Sequence, residues 1–343
     1  MKYKLLSVRK NNKVKAINIG DYIQALASSQ YYPHVDGFLD RDEDLNSYDE
    51  EPCKMIMNGW YMHNPQNWPP TEKIIPLFVA FHLNVLVREE LTSSISVNYL
   101  KKHQPIGCRD TNTMDILTSA GIEAYFSGCM TLTLGKKYHN EEKDHTTYIV
   151  DPILSVDYGL NNIYQALRVI VRHPLDIINL LKKDGLHLHD GKNKLKKIVK
   201  TALYYKVYSK MFSKDIIMNS TYIHHYVENK NDDFYLLDKA EQLVKLYAKA
   251  RLVITSRIHC ALPCLGLETP VIYLREKADD YISTCRLGGI EDLFNMVEIN
   301  DGDLQSNFKI DSVISSENYP VNKDSWKVYA QELDNRCKKF ILE

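Results

Sequence analysis

The stretch ARLVITSRIHCALPCLGLETPVIYL, residues 250–274, decides the fold class of this chain. An apolar run ends at Thr255 and Ser256, a helical segment starts at once, and a second run rich in β-branched residues follows. Strand, helix and strand in such short order indicate a parallel β-α-β unit. The first half of the chain alternates in the same way, with predicted strands in KYKLLSV, CKMIMNGW, PLFVAFHL and TTYIVDP. The sequence therefore predicts an α/β protein with mostly parallel sheets.

The length of 343 residues predicts two domains, because a single hydrophobic core stops growing at roughly 250–300 residues. A lysine-rich stretch, almost free of strand signals, separates two halves that both alternate strands and helices. We predict an N-terminal domain over residues 1–155, a basic helical connector over 156–214, a C-terminal domain over 215–320 and a C-terminal helix over 321–343, starting after Asp324.

The overall charge argues against nucleic acid as a partner. The chain has 43 Lys and Arg against 44 Asp and Glu, so no general positive field would hold a polyanion. The longest apolar stretch, residues 74–87, is interrupted by Pro76, His82 and Asn84 and is shorter than the roughly 20 residues of a membrane-spanning helix. The N-terminus lacks the apolar segment of a secretory signal. We expect a cytoplasmic protein whose seven cysteines are reduced.

Three polar side chains follow the strand of the opening stretch: Ser256, Arg257 and His259. A helix N-terminus offers backbone N–H groups, and ligands of parallel sheets collect at the carboxyl ends of the strands. The three residues therefore predict a seat for a phosphate or a carboxylate. The alternative for this segment alone is structural, with Ser256 as an N-cap, Arg257 paired to a surface carboxylate and His259 as a core histidine.

Residues 105–121, PIGCRDTNTMDILTSAG, place Arg109 and Asp110 at another junction of strand and helix. Asp110 is expected to cap the helix, which leaves Arg109 for a bidentate contact with an anion. A surface ion pair between the two is the alternative. Later in the chain, Ser127 and Cys129 end a further predicted strand; no activating base is spaced near Cys129, which is interpreted as a pocket-lining or buried thiol.

The segment NIGDYIQALA, residues 18–27, combines Gly20 with hydrogen-bonding groups on Asn18, Asp21 and Gln24. It has neither the glycine and lysine spacing of a Walker loop nor the three glycines of a dinucleotide fingerprint. A turn followed by an N-cap is the alternative for the segment by itself. No cluster of acidic side chains indicates a metal site, so no metal is expected.

Taken jointly, these blocks resemble the polysaccharide pyruvyl transferase family, whose members add pyruvate as a ketal to sugars of capsules, exopolysaccharides and cell walls. The resemblance rests on NIGD-x-x-Q, GCRD-x-x-T, SGC-x-T-x-T and TSRIHCALPCLGLETPVIY, in this order, and covers about residues 17–275. It implies two Rossmann-like domains arranged as in GT-B glycosyltransferases, with the active site in the cleft between the domains.

The resemblance also implies phosphoenolpyruvate as the donor substrate, without a further cofactor. Protonation of its methylene carbon makes C2 electrophilic, a sugar hydroxyl attacks there, and a second hydroxyl closes the ketal after phosphate leaves. His259 is expected to protonate either the methylene carbon or the leaving phosphate, while Arg257, Arg109 and, more weakly, Arg275 hold the anionic groups. The remaining substrate contacts are expected at Asn18, Gly20, Asp21, Gln24, Asn58, Ser127 and Ser256, with Asp21 as a candidate base.

Ten lysines against two acidic residues between Lys182 and Lys214 form a local basic region. Acceptors of this chemistry are often sugars on a lipid diphosphate, so residues 160–214 are a candidate contact with the inner membrane surface or with the carrier diphosphate. Solvated helices with lysines in water are the alternative. For the whole protein, the rival hypotheses are a GT-B glycosyltransferase that uses a nucleotide sugar and a non-catalytic saccharide-binding protein. The acceptor sugar and the oligomeric state stay open.

Overall fold

The structure is a computed structural model that describes residues 1–8, 15–154, 156–186, 188, 193–277, 285–310 and 312–343. It contains two six-stranded sheets and a separate two-stranded pair, with helices on the faces of both large sheets. The predicted mixed α/β class with parallel sheets is confirmed. The division into the four predicted segments stays a prediction. Lys192, one of the ten lysines of the basic region, lies outside the described residues.

The first sheet has the strand order β3-β1-β4-β5-β6-β7, and all of its neighbouring strands run parallel. Parallel neighbours require crossover connections, and these supply the helices that cover its faces. Its strands are β1 (Lys2–Ser7), β3 (Gly37–Asp40), β4 (Cys53–Tyr61), β5 (Ile74–Leu83), β6 (Ile106–Cys108) and β7 (Ala124–Phe126).

The second sheet has the order β14-β13-β12-β11-β8-β9 and is parallel except for the hairpin of β13 and β14. Its strands are β8 (Thr147–Val150), β9 (Thr221–Ile223), β11 (Leu252–Thr255), β12 (Val271–Glu276), β13 (Asn295–Asn300) and β14 (Asp303–Ser306). The remaining two strands, β2 (Ala16–Asn18) and β10 (Tyr226–Glu228), pair antiparallel with each other and link the two halves of the chain.

The helices connect the strands of each sheet. They are α1 (Gly20–Ser29), α2 (Arg88–Leu91), α3 (Ser94–Lys102), α4 (Thr111–Ser119), α5 (Gly135–Tyr138), α6 (Leu160–Arg172), α7 (Pro174–Leu181), α8 (Lys194–Tyr208), α9 (Lys214–Asn219), α10 (Asp233–Lys249), α11 (Ile258–Gly266) and α12 (Lys327–Leu342). Short 3-10 turns occupy Pro65–Asn67, Val85–Val87, Met130–Thr133 and Glu291–Leu293. No helix among the described residues has both the length and the apolar character needed to span a bilayer.

The two sheets share one central hydrophobic layer. Successive residues of a strand face opposite sides of the sheet, and in β11 this sends Val253 into the central layer and Ile254 into the core under α6 to α9. The central layer also contains buried residues of α1, α10, α11 and α12, which therefore lie between the sheets. A third core covers the outer face of the first sheet. Both sheets therefore bury one face in the same layer.

Several local predictions differ from the structure. The strand Thr147–Val150 was assigned to the first half, but it pairs with β11 and β9 in the second sheet. The pair Asn58-Gly59 predicts a turn at the end of a strand, but both residues lie inside β4 at a shift of register. Asp324 does not cap the C-terminal helix, which begins at Lys327; its carboxylate pairs with the Lys327 ammonium instead.

The run IIMNSTYI, residues 216–223, predicts a strand, but its first half is helical. Ser213 and Asp215 stand at the start of α9, and residues of these types favour a helix N-terminus. Ile216 and Ile217 are then buried in the core of the second half, and only Thr221–Ile223 is extended. The β-branched composition therefore predicted the wrong element, because the signals for a helix start precede it.

Helix α11 lies directly against the segment that follows β7. A side chain at Gly135 would place its Cβ 1.9 Å from the Gly266 carbonyl oxygen, and one at Gly266 would place it 2.4 Å from the Leu132 carbonyl oxygen. The two backbones can approach this closely only because neither glycine has a Cβ. The block SGC-x-T-x-T, residues 127–133, therefore includes part of the segment against which α11 packs.

We predict that Gly266→Ala lowers the free energy of unfolding by about 1–3 kcal/mol or more, because the added methyl group forces the backbones apart. Urea unfolding followed by circular dichroism measures the loss. Gly159→Ala is the matched control, since its Cβ would meet only the side chain of Asp157. Equal stability of the two variants would contradict the close packing described here.

Candidate functional site

A cavity of about 480 Å³ lies where the carboxyl ends of the two sheets meet. Both halves of the chain contribute to it, since Arg109 follows β6 of the first sheet and Arg257 follows β11 of the second. The residues that line the cavity are Val8, Asn18, Asp21, Arg41, Trp60, His63, Arg109, His225, Ser256, Arg257, Ile258, His259, Tyr273, Arg286 and Leu287. The predicted residues Asn18, Asp21, Arg109, Ser256, Arg257 and His259 are therefore brought together in one place.

Arg109 is the most deeply buried cation of the cavity, with 1% of its surface exposed. Its backbone N–H donates to the Phe81 carbonyl oxygen at 2.9 Å, which fixes the residue at the end of β6. Its Nε has no hydrogen-bond partner among the described residues. Buried polar atoms are nearly always hydrogen-bonded in native proteins, so this Nε is a donor available to a ligand or to a water molecule.

The rest of the GCRD-x-x-T block holds Arg109 in place. Asp110 caps α4 as predicted, by accepting from the Thr113 N–H at 2.8 Å. The other carboxylate oxygen of Asp110 bonds to His82 Nδ1 and to the Thr113 hydroxyl. Thr113 in turn accepts from the Leu83 N–H at 3.1 Å and ties α4 to β5. Asp110 is therefore engaged by this network, and the alternative of a surface ion pair with Arg109 is wrong, because both residues are buried.

His259 has an imidazole that is kept neutral. Burial, together with the positive charge of Arg109, holds the pKa of His259 well below its ordinary value. Its Nε2 has no hydrogen-bond partner among the described residues. On the other side of the ring, a Cβ at Gly20 would come within 2.8 Å of Nδ1. The glycine of NIGD therefore leaves the space that the ring of His259 occupies.

Arg257 is oriented by a buried carboxylate. Its Nε donates to Asp151 Oδ2 at 2.7 Å, and the Ser256 hydroxyl donates to the Asp151 carbonyl oxygen at 2.5 Å. Burial would raise the pKa of the Asp151 carboxyl, but Arg257 and His224 hold it below its ordinary value. Ser256 therefore does not cap α11, whose N-cap is Arg257. The alternative of a surface ion pair is also wrong, because Asp151 is buried.

His225 is a second buried neutral histidine of the cavity. Its backbone N–H donates to Asp151 Oδ2 at 3.1 Å, while both ring nitrogens have no partner among the described residues. Burial lowers the pKa of His225 to about 4. The ring adds one donor and one acceptor to the cavity, next to those of His259.

Two more arginines give the cavity a positive field. Arg41 donates through Nε and Nη2 to the Asp42 carboxylate, with its guanidinium 5.0 Å from the centre of the Trp60 ring. Arg286 also lines the cavity and is one of the charges that lower the pKa of His259. Asp21 is the single carboxylate among the lining residues that the structure describes. The cavity is therefore suited to an anion with more than one charge.

Five of the predicted site residues do not line the cavity. Gly20 acts through the space it leaves for His259, as described above. Gln24 and Asn58 are buried, and the side-chain amide of Asn58 donates to the backbone carbonyl oxygen of Gln24 at 3.0 Å. Ser127 is buried, donates to the Cys108 carbonyl and accepts from the Ala80 N–H. Arg275 pairs with Glu291.

The thiol of Cys129 is fully buried, as expected for a structural cysteine. Burial raises its pKa, and the Thr131 hydroxyl donates to its sulfur at 3.2 Å. Cys260 and Cys264, four residues apart in the apolar run of α11, are predicted to pack in the core, and their full burial confirms this. Among the described residues there is no group of three or more His, Cys, Asp or Glu side chains that could hold a metal ion.

A second cavity of about 520 Å³ adjoins the first and shares Ser256 and Arg257 with it. Its walls combine aromatic, charged and apolar side chains from β10, from the end of β12 and from α8. The residues that line it are Ala16, Asp151, Pro152, Ile153, Leu154, Leu188, Lys200, His224, Tyr226, Ser256, Arg257 and Glu276. The ring of Tyr226 has its centre 5.0 Å from that of the His224 ring and 5.2 Å from the Arg257 guanidinium.

Sequence reasoning missed six polar or aromatic residues of the first cavity: Arg41, Trp60, His63, His225, Tyr273 and Arg286. Arg41 directly follows β3, a strand of four residues that the sequence analysis does not predict, so its place at a strand end gave no signal. His225 had no such signal either, because it stands between β9 and β10, two strands of three residues each.

A family model described as polysaccharide pyruvyl transferase matches residues 18–277 of the chain. Comparison with curated protein sequences gives no match. A solved structure, described as a functional uncharacterized protein from Klebsiella pneumoniae subsp. pneumoniae, resembles the chain with a TM-score of 0.42 and 13% sequence identity, over 87% of this chain and 93% of that chain.

We predict that the protein loses stability between about pH 6.5 and about pH 4 through His225. Its pKa is about 4 when folded, and in the unfolded chain it is about 6.5. The unfolded state therefore binds the proton first, and the free energy of unfolding falls by up to about 3 kcal/mol as the pH drops through this range. Urea unfolding at several pH values measures the slope. His225→Gln should reduce the slope without removing it, because burial also lowers the pKa of His82, to about 4, and that of His259. An unchanged slope in this variant would contradict the assignment.

We also predict that Gly20→Ala lowers the catalytic or ligand-binding activity of the cavity about tenfold or more, because its methyl group must displace the His259 ring. The free energy of unfolding should stay close to that of the wild type, because the His259 ring borders an open cavity and can move into it. Gly159→Ala again serves as the control, with both properties kept. Full activity of Gly20→Ala would show that the position of His259 is not required.

Proposed function

The chain belongs to the polysaccharide pyruvyl transferase family, and from this membership we propose that it moves the pyruvyl group of phosphoenolpyruvate onto a saccharide to form a cyclic ketal. One observation carries the proposal. Arg109 is buried with an unpartnered Nε in a cavity that Arg257, Arg286 and His259 also line. A compact dianion or trianion is the kind of ligand that satisfies these groups.

The donor has a carboxylate and a phosphate attached to neighbouring positions of a three-carbon skeleton. Arg109 comes from the first sheet and Arg257 from the second, so each can hold one of the two anionic groups. The guanidinium of Arg257 is already oriented by Asp151, which limits the reorganisation that binding requires. Arg286 adds positive charge where the phosphate leaves.

Proton transfer in this reaction balances without an outside acid. The methylene carbon of the donor gains one proton, and the C2 to phosphate oxygen bond breaks. Two acceptor hydroxyls form the two new C–O bonds at C2 and lose one proton each. One of these protons ends on the new methyl group and the other on the released phosphate. The protein therefore needs a relay that accepts protons from hydroxyls and passes them on.

His259 fits this relay because it is neutral before the donor binds. The low pKa of the free site comes from burial and from nearby arginines. A bound dianion compensates these positive charges and raises the pKa of His259, so the imidazole can be protonated when its proton is needed. Asp21 is the carboxylate placed to receive a proton from an acceptor hydroxyl.

The second cavity is our candidate for the acceptor saccharide. It shares Ser256 and Arg257 with the donor cavity, so its contents would lie next to the reacting carbon. Tyr226 offers an aromatic ring to a sugar face, and Glu276 and Lys200 offer groups for its hydroxyls. A lipid-linked acceptor and a relation to the two-domain GT-B architecture belong to the same proposal. The convergence of two sheets on one cleft supports the latter.

We predict that Arg109→Met weakens phosphoenolpyruvate binding about a hundredfold, because a buried charged hydrogen bond is lost. The same substitution should leave the free energy of unfolding equal or higher, since it removes a buried cation with an unpartnered Nε. Titration calorimetry and urea unfolding measure the two quantities. Arg275→Met is the matched control, because Arg275 lies outside the cavity and pairs with Glu291.

Wild-type protein should be stabilised against heat by phosphoenolpyruvate and not by UDP- or GDP-sugars. The reverse pattern would support the nucleotide-sugar glycosyltransferase instead. If glycosides alone stabilise the protein, and neither donor does, a saccharide-binding protein is the better description. With phosphoenolpyruvate and a panel of aryl glycosides, mass spectrometry should detect addition of one pyruvyl group with loss of water.

We predict that phosphoenolpyruvate binding takes up protons near neutral pH, since it raises the pKa of His259. Calorimetry in two buffers with different ionisation enthalpies measures this uptake. It should disappear in His259→Gln and persist in His34→Gln, whose imidazole is exposed. Proton-independent binding by the wild type would rule out the relay as described.

For the acceptor cavity, Glu276→Gln should raise the KM for the active glycoside about tenfold, which is the loss of one charged hydrogen bond. The KM for phosphoenolpyruvate should stay unchanged. Glu228→Gln is the control, because Glu228 is exposed and lines neither cavity. An unchanged acceptor KM in Glu276→Gln would remove the second cavity from the proposal without affecting the donor site.

A further inference from the structure

Helix α6 exposes the apolar side that an amphipathic helix normally buries. Leu160 is 88% exposed and Val171 is 79% exposed. Between them, Ile163, Tyr164 and Leu167 follow at helical spacing and are also exposed. Helix α7 continues the surface with Leu175 and Ile178. We call these seven residues the α6–α7 apolar surface.

The opposite side of both helices is already buried, so the exposure is not a sign of an incomplete core. Ala166 of α6 and Ile177 and Leu180 of α7 are buried in the core of the second half. Both helices pack against α8. The α6–α7 apolar surface is therefore a second apolar side, and exposed apolar patches of this kind mark interaction sites.

The charges around the surface are almost all positive. Helices α6, α7 and α8 together carry seven Lys or Arg side chains and one acidic residue, Asp176. Asp176 is paired with Lys214 at 2.7 Å and so adds little negative field. On α6, Arg168 and Arg172 are exposed, and the Arg168 guanidinium lies 5.7 Å from the Tyr164 ring.

We propose that the α6–α7 apolar surface docks the protein on an anionic lipid bilayer. Charge complementarity decides the occupant, since a second copy of the chain would bring the positive charges of α6 and α8 against the same charges of the first copy. Leu, Ile and Val side chains enter the acyl boundary, Tyr164 lies at the headgroup level, and the basic side chains attract the anionic lipid phosphates. The proposal does not depend on the reaction that the cavities carry out.

The test is flotation of the purified full-length chain with vesicles. Wild type should float with vesicles of phosphatidylcholine and about one third phosphatidylglycerol, much less with phosphatidylcholine alone, and less as salt is added. The variant Leu167→Ser/Val171→Ser/Leu175→Ser should lower the partition coefficient at least tenfold, because three exposed apolar side chains no longer enter the bilayer. These residues are exposed, so the variant should unfold at the same urea concentration as wild type.

The matched control is Leu86→Ser/Ile95→Ser. These two apolar residues are also exposed, at 71% and 69%, and they do not belong to α6 or α7. It should float as wild type does. Arg168→Gln/Arg172→Gln should reduce binding only to the vesicles with phosphatidylglycerol. No flotation of wild type at low salt overturns the proposal, as does equal loss in the control. A dimer in sedimentation that the triple variant converts to monomer would also overturn it and identify a second copy as the occupant.

Discussion

The site depends on a guanidinium that is buried where its Nε finds no hydrogen-bond acceptor in the described protein. Arg109 is held by the backbone of β5 and by the network around Asp110, and its Nε stays unpartnered. A charge in this position costs free energy in the empty protein and is stabilised by an anion. Burial, together with this charge, keeps His259 neutral. In the proposed function, binding of the anion and protonation of the histidine therefore follow from one electrostatic arrangement.

The shared central layer explains how residues distant in sequence meet. Helix α1 brings Asp21, and α11 brings His259, and both helices pack in the layer between the sheets. The glycines of these segments permit the close contacts, at Gly20 beside His259 and at Gly266 beside the segment after β7. The four sequence blocks thus contain both cavity residues and glycines that permit close packing. The glycines allow the segments that carry the cavity residues to approach one another.

The sequence predicted those parts of the site that lie where a strand is followed directly by a helix, at the junctions of β6 with α4 and of β11 with α11. Arg109, Arg257 and His259 belong to this class, as do the parallel sheets themselves. It could not assign β8 to the second sheet, because the pattern of a strand does not name its partner. It also could not separate Gln24 and Asn58 from the cavity residues. Both are polar residues near the site, and only the packing shows that they bond to each other.

The pairing of β2 with β10 limits how far the two halves of the chain can move apart at the cleft. Its backbone bonds connect the two halves beside Asn18, with the Ile19 N–H bonded to the His225 carbonyl at 3.0 Å. At another edge, the Thr111 N–H bonds to the Gly288 carbonyl at 3.1 Å, next to the Arg286 segment. Each such bond contributes about 1 kcal/mol net, so swinging the halves apart costs several kcal/mol and leaves a wide-open form at or below about 1% of molecules. Small ligands therefore reach the cavity mostly while these backbone bonds hold the two halves together.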